Sequence, residues 1–151
     1  MRYIIEEGKH YAKFTWDRLF PFASNKRDKA VLFDDGCLTP AFPSGLNKLD
    51  GISGFRIHKN SGRLVWIANG SLIAIYGYVY KDGVRTQIKI GDYDPEGFIS
   101  YSIEYVAGQW HFHVNNDYAC LDGKLGFFKF RCFPYFGGRA VAPCDIILDI
   151  L

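Results

Sequence analysis

From residue 61 to the C-terminus, side chains alternate between apolar and polar with period two, broken by Asp-Gly, Ala-Gly and Pro-containing turns. That period belongs to half-buried strands, because successive Cβ atoms of a strand point to opposite faces. In 63–69, Leu64, Trp66 and Ala68 share one face while Arg63, Val65 and Ile67 share the other. In 72–80, Tyr76, Tyr78 and Tyr80 oppose Ile73, Ile75 and Val79, and in 84–90, Val84, Thr86, Ile88 and Ile90 oppose Arg85, Gln87 and Lys89. Asp82-Gly83 supplies the positive φ of a tight hairpin between these two runs. The pattern continues through 98–106, 109–115, 118–121 and 127–133. No apolar period of 3.6 persists for three turns. Nine or ten short strands at this spacing predict an all-β, two-sheet antiparallel sandwich or jelly roll.

The first 60 residues are less regular. They predict strands near 11–20 and 30–33, then a loop-rich stretch to residue 55 carrying Pro40, Pro43, Gly45 and Gly51. At the other end, FPYFGGRAVAPCDIILDIL places Gly137 and Gly138 where special backbone angles are needed. Pro143 blocks strand pairing and forces a restart after it. The last strand, 145–151, is expected to run back beside the N-terminal strands, with Phe133, Tyr135 and Phe136 plugging the sandwich end. The 151 residues fit one domain, 1–151.

A net charge of +2 is too small to call for a nucleic-acid partner or an acidic membrane. Glu6 and Glu7 interrupt the N-terminal apolar run, so no secretory leader is visible, and no apolar run approaches a membrane span. The expected setting is therefore cytoplasmic or virion-associated. Cys37, Cys120, Cys132 and Cys144 show no zinc-ligand spacing and are expected as reduced thiols.

The run SIEYVAGQWHFHVN (102–115), followed by PYFGG, AP and DI before a terminal strand, resembles the C-terminal half of concanavalin A-like sandwich domains. Legume lectins, laminin-G modules and polysaccharide lyases belong to that group. FRIHKNSGRLVW (55–66) together with PYFGGRAVAPCDI is similar to small proteins of gut Bacteroides and their phages. The resemblance covers roughly residues 50–151 and implies a lectin/glucanase-type sandwich. Where such a terminal motif commonly reads APHD, this chain has Ala142-Pro143-Cys144-Asp145, which weakens any metal or acid–base role there.

The tyrosine stripe Tyr76/Tyr78/Tyr80 is the strongest candidate site, since stacked rings with hydroxyl tips suit pyranose rings. Trp66, His58, Asn60 and Arg63, with Lys59, are near in sequence and could supply further contacts. His111 and His113 share a strand face, but a metal site would need Asp117, Glu104 or His58 as well. Asp92, Asp94 and Glu96 read as a turn before they read as a calcium cage. Paired glycosidase carboxylates and nucleophile motifs are lacking, so catalysis is disfavoured. The expectation is a non-catalytic, lectin-like carbohydrate-binding domain without cofactor or metal. Its partner is a glycan or a protein surface, with no nucleic acid or membrane, and homo-oligomerisation remains open. The alternatives are a virion structural or accessory protein and a uronate lyase using a Tyr or His base beside Arg63, Asn60 or Arg131.

Overall fold

In a computed structural model, residues 1–38, 46–138 and 140–151 are described. The Pro40, Pro43 and Gly45 segment of the expected loop lies outside them, as does Arg139. Eleven strands occur among the described residues: β1 (Arg2–Ile5), β2 (Lys26–Phe33), β3 (Asn47–Ser53), β4 (Ser61–Asn69), β5 (Leu72–Lys81), β6 (Val84–Tyr93), β7 (Ile99–Val106), β8 (Gln109–Val114), β9 (Asp117–Asp122), β10 (Phe130–Cys132) and β11 (Ile146–Ile150). They form two antiparallel sheets, ordered β1-β11-β2-β7-β8-β9 and β10-β3-β4-β5-β6. Short 3₁₀ turns at Trp16–Leu19 and Asp35–Leu38 complete the secondary structure.

The hairpins follow the turn chemistry. Asp82 and Gly83 both take positive φ, 50° and 85°, which lets a two-residue turn match the right-handed strand twist. That turn fixes the register so that Tyr80 faces Arg85 and Tyr78 faces Gln87. The terminal strand β11 lies between β1 and β2, beside the N-terminal strands as expected. Phe136 is sealed in the core and Phe133 packs against it, whereas Tyr135 reaches the opposite side of the five-stranded sheet.

The core lies between the sheets, with Leu64, Trp66, Ile73, Ile75 and Val79 from one facing Val31, Ile103, Trp110 and Phe112 from the other. A β-bulge at Leu49 turns both Leu49 and Asp50 toward the core and leaves Lys48 on the outer face, opposite Val65. β3 takes the place of part of the expected loop. All seven of its residues are buried, so its polar residues mark no exposed row and no alternation shows. The run 11–20, expected as a strand, instead makes one bridge at Tyr11 and a 3₁₀ turn, leaving Tyr11, Phe14 and Trp16 exposed. The expected strand 127–133 shortens to β10. β6 is an edge strand, so its inward row is thinly covered, with Val84 67% exposed.

The two sheets approach closely at Trp110. A Cβ on Gly62 would lie 2.2 Å from its indole, and one on Gly123 would lie 2.0 Å away. Gly62→Ala is therefore expected to cost about 1–3 kcal/mol through overpacking. Gly97→Ala, with no atom within reach of the new methyl, should be near neutral. Paired urea unfolding curves for the two variants check this.

Candidate functional site

The outer face of the five-stranded sheet carries a cleft of about 640 Å³. β5 contributes Tyr78 and Tyr80, β6 Arg85 and Gln87, β4 Ile67, and β3 Lys48. The 54–60 loop closes one side with Ile57 and His58. The segments around His10 and Tyr135 close another, joined by the bridge from Tyr11 to Tyr135. Backbone pairing explains the convergence: Arg63 of β4 lies opposite Tyr78, and Tyr78 opposite Gln87, so their side chains share one face.

Two cations sit low in this site. Arg63 is fully buried, donating through Nη1 to the Tyr135 hydroxyl at 3.0 Å and through Nη2 to the Ile57 carbonyl at 3.4 Å. Its Nε has no hydrogen-bond partner, and no salt bridge to Arg63 occurs among the described residues. Lys48 is nearly buried and donates to the Leu46 carbonyl at 2.7 Å. Its ammonium stands 5.3 Å from the centre of the Tyr78 ring and 5.2 Å from that of Tyr135. Burial, then the Arg63 and Arg85 charges, pull the Lys48 pKa down to about 8. Burial together with Arg63 and Lys48 also holds His58 below the usual histidine range.

The tyrosines are linked. The Tyr78 hydroxyl donates to that of Tyr80 at 3.4 Å, and the His58 ring meets Tyr80 edge-on at 5.4 Å. The Arg85 guanidinium lies 6.0 Å above the Tyr78 ring. Tyr78 is 4% exposed and forms the floor, whereas Tyr80 and Tyr76 are half-buried.

Of the residues singled out by sequence, Tyr78, Tyr80 and His58 line the cleft, with Arg63 directly beneath. Tyr76 lies one step along the same face, opposite Val65 and Lys89, outside the lining. Trp66 does not join them. It has the parity of Leu64, points into the core and packs edge-on against Phe33 at 5.3 Å. Asn60 is also set apart, its side-chain oxygen accepting from the Asp82 N–H at 2.9 Å to brace the hairpin. Sequence reading overlooked Arg85 and Gln87, although the Asp82-Gly83 register already placed them across from Tyr80 and Tyr78. Lys48, His10 and Tyr135 carry no local signal, because their places depend on the bulge and on long-range bridges.

The other candidates have ordinary roles. His111 Nδ1 lies 2.7 Å from the Tyr118 hydroxyl, and the His113 ring packs on Tyr118. Among the described residues no group of three His, Cys, Asp or Glu side chains converges on a metal position. Asp92 pairs with Lys89 and Asn69, while Asp94 accepts from the Glu96 N–H as a turn brace. Asp145 accepts from the Glu7 N–H, stitching the two ends of the chain together. Cys37 and Cys132 are buried free thiols and Cys120 a partly exposed one, while Cys144 Sγ donates to the Gly36 carbonyl at 3.6 Å.

No protein-family model matches this chain, and no curated protein matches it significantly. Among solved structures, an alginate lyase from Alteromonas sp.272 is similar in fold, with a TM-score of 0.53 and 7% sequence identity. The match covers 99% of this chain and 76% of that one. The chain is thus a two-sheet antiparallel jelly-roll sandwich.

Proposed function

We propose that the cleft binds a polymer of acidic sugars, with a pyranose ring against Tyr80 above the buried Tyr78 floor and carboxylates meeting Arg85, Lys48 and Gln87. One observation carries this reading. Every ionisable lining residue except the tyrosines is basic, being His10, Lys48, His58 and Arg85, and Arg63 is buried beneath them without a carboxylate. A buried cation is costly unless paired, so this arrangement favours a counter-charge brought in by a ligand. The paired tyrosines, edge-on at 5.6 Å, favour a ring-shaped ligand over a simple anion. The fold likeness to a lyase of alginate, itself a polyuronate, is in keeping with this chemistry.

The test is calorimetric titration with polyuronate and with neutral dextran. Polyuronate is expected to bind and dextran is not. Arg85→Ala, on an exposed edge strand, should weaken binding about 10-fold through removal of one charge-assisted hydrogen bond. Equal binding of dextran, or an unchanged affinity in the variant, would refute the reading.

A second reading, uronate lyase, is favoured by one feature. His58 is held toward its neutral form beside the Tyr78–Tyr80 hydroxyl pair, with cations at hand to neutralise a carboxylate. Abstraction of the proton α to that carboxylate needs such a base. A rise in ultraviolet absorbance from unsaturated uronate ends would establish it, and its absence on polymers that bind would leave a binding protein.

A further inference from the structure

The largest feature unused by the cleft is a cluster of exposed phenylalanines beside β10. The Phe130 ring lies 5.8 Å from that of Phe22 and 6.3 Å from that of Phe55. Backbone bonds from Ala23 N–H to the Lys129 carbonyl, and from Arg131 N–H to the Pro21 carbonyl, hold the Phe22 segment against β10. Gly54 sits beside Gly126, so Phe55 and Phe127 leave neighbouring points of the backbone, and Phe127 and Phe128 meet edge-on at 5.4 Å. Phe22, Phe55, Phe127 and Phe128 are 71%, 84%, 88% and 61% exposed. At roughly 200 Å² per aromatic side chain, these four present on the order of 600 Å² of apolar surface. That is the upper end of the largest patch on an ordinary monomer.

The unpaired charge beside the rings is positive, the bordering acids Asp17 and Asp82 being taken up by Arg131 and Lys124. The segments 18–23 (RLFPFA), 54–60 (GFRIHKN) and 124–131 (KLGFFKFR) contain no Asp or Glu. Arg56 and Lys59 are exposed beside Phe55, and the Lys129 ammonium lies 5.9 Å from the Phe127 ring. None of these three cations is in an ion pair among the described residues. A second copy of the chain would set these cations against themselves, and like charges across an interface are penalised. An anionic plane satisfies both parts of the patch at once.

We propose that this face docks on a lipid bilayer containing anionic headgroups. The rings of Phe55, Phe127 and Phe128 enter the boundary between headgroup and acyl chain, while Arg56, Lys59 and Lys129 lie at headgroup level. No helix among the described residues is long and apolar enough to cross a membrane, and docking of this kind needs none. The attachment is peripheral and leaves the cleft open on the far side of the 54–60 loop.

The experiment is co-sedimentation of the full chain with two kinds of vesicle, one of phosphatidylcholine alone and one of phosphatidylcholine mixed with phosphatidylglycerol. Light scattering reads the oligomeric state in parallel. Binding is expected to the mixed vesicles only and to fade with added salt. Replacing Phe55 and Phe127 together by Ser should weaken it at least 10-fold, with an unchanged thermal midpoint because both side chains are exposed. Lys59→Glu with Lys129→Glu should do the same. Failure of the natural chain to sediment with mixed vesicles would overturn the proposal. So would equal sedimentation of the Ser variant, or a dimer that the Ser variant dissociates.

Discussion

Asp50→Ala is expected to remove about 3–5 kcal/mol of stability, the cost of stripping one partner from a buried ion pair. For a chain of this size that lowers the thermal midpoint by roughly 10 °C. Asp50 projects from the bulged strand β3 into the space between the sheets, where Arg27 of β2 meets it. Arg27 Nη2 lies 2.8 Å from Oδ2, and Nε lies 3.0 and 2.9 Å from the two oxygens. The Tyr101 hydroxyl donates to Oδ2 at 2.8 Å, and the Gly51 N–H donates to Oδ1 at 2.8 Å. The two side chains are only 4% and 10% exposed, so water cannot replace the missing carboxylate. Burial, then the neighbouring Asp50 charge, drives the Tyr101 pKa well up, which keeps that hydroxyl a donor. Asp149→Ala, which breaks the exposed pair with Arg2, should cost under about 1 kcal/mol. Denaturant unfolding of both variants measures the contrast. A loss below about 1 kcal/mol for Asp50→Ala would mean that the sheets are not tied together at this point.

That tie also shows why parts of the fold were hidden from the sequence. β4 through β9 were readable because most of them keep one row in the core and one row toward water. β3 holds Asn47, Lys48, Asp50 and Ser53, yet every one is buried, and the bulge shifts its parity midway. Polarity there reports hydrogen bonding, across the sheets for Asp50 and to nearby backbone for Asn47 and Lys48, not exposure. The reverse holds at 11–22 and 127–128, where aromatics that look like core lie exposed on connecting segments. The candidate site divides in the same way. The shared face of Tyr78, Tyr80 and Arg63 follows from period two, and Arg85 and Gln87 follow from the hairpin register. Trp66 was set among them by nearness in sequence, although its parity with Leu64 already assigned it to the core. Lys48 and Tyr135 depend on pairing between residues far apart, and no local pattern encodes that. The small net charge likewise concealed two basic surfaces, the cleft and the phenylalanine face, because the acids lie elsewhere.

Binding of polyuronate is expected to weaken about 10-fold or more as pH rises from 7 to about 9.5, the worth of one charge-assisted hydrogen bond to the ligand. Lys48 is the group that titrates there: its pKa is drawn down to about 8 by burial, Arg63 and Arg85. Below that pH it is an ammonium able to meet a carboxylate, and above it a neutral amine. Arginine as a residue type does not lose its charge in this range. His58, held low, gains its charge only on the acid side and so strengthens binding further as pH falls. On stability Lys48 acts in the opposite sense. An unfolded lysine holds its proton to about 10.4, so between pH 8 and that value the unfolded chain binds the extra proton. Lys48 therefore adds stability as pH rises through this window. Cys37 and Cys132, whose pKa values burial raises, take stability away as pH rises above the ordinary thiol value of about 8.5, and Tyr3 and Tyr101, raised by burial and by their carboxylate partners, do so near and above about 10. Thermal midpoints at the same pH values therefore accompany the titrations and separate lost affinity from lost fold. Lys48→Arg should flatten the pH profile by keeping its charge, and Lys48→Met should remove the step at the weak-binding level. Titrations at pH 7, 8 and 9.5 on the three proteins decide it, and a natural chain whose affinity is flat across that range would remove Lys48 from the ligand site.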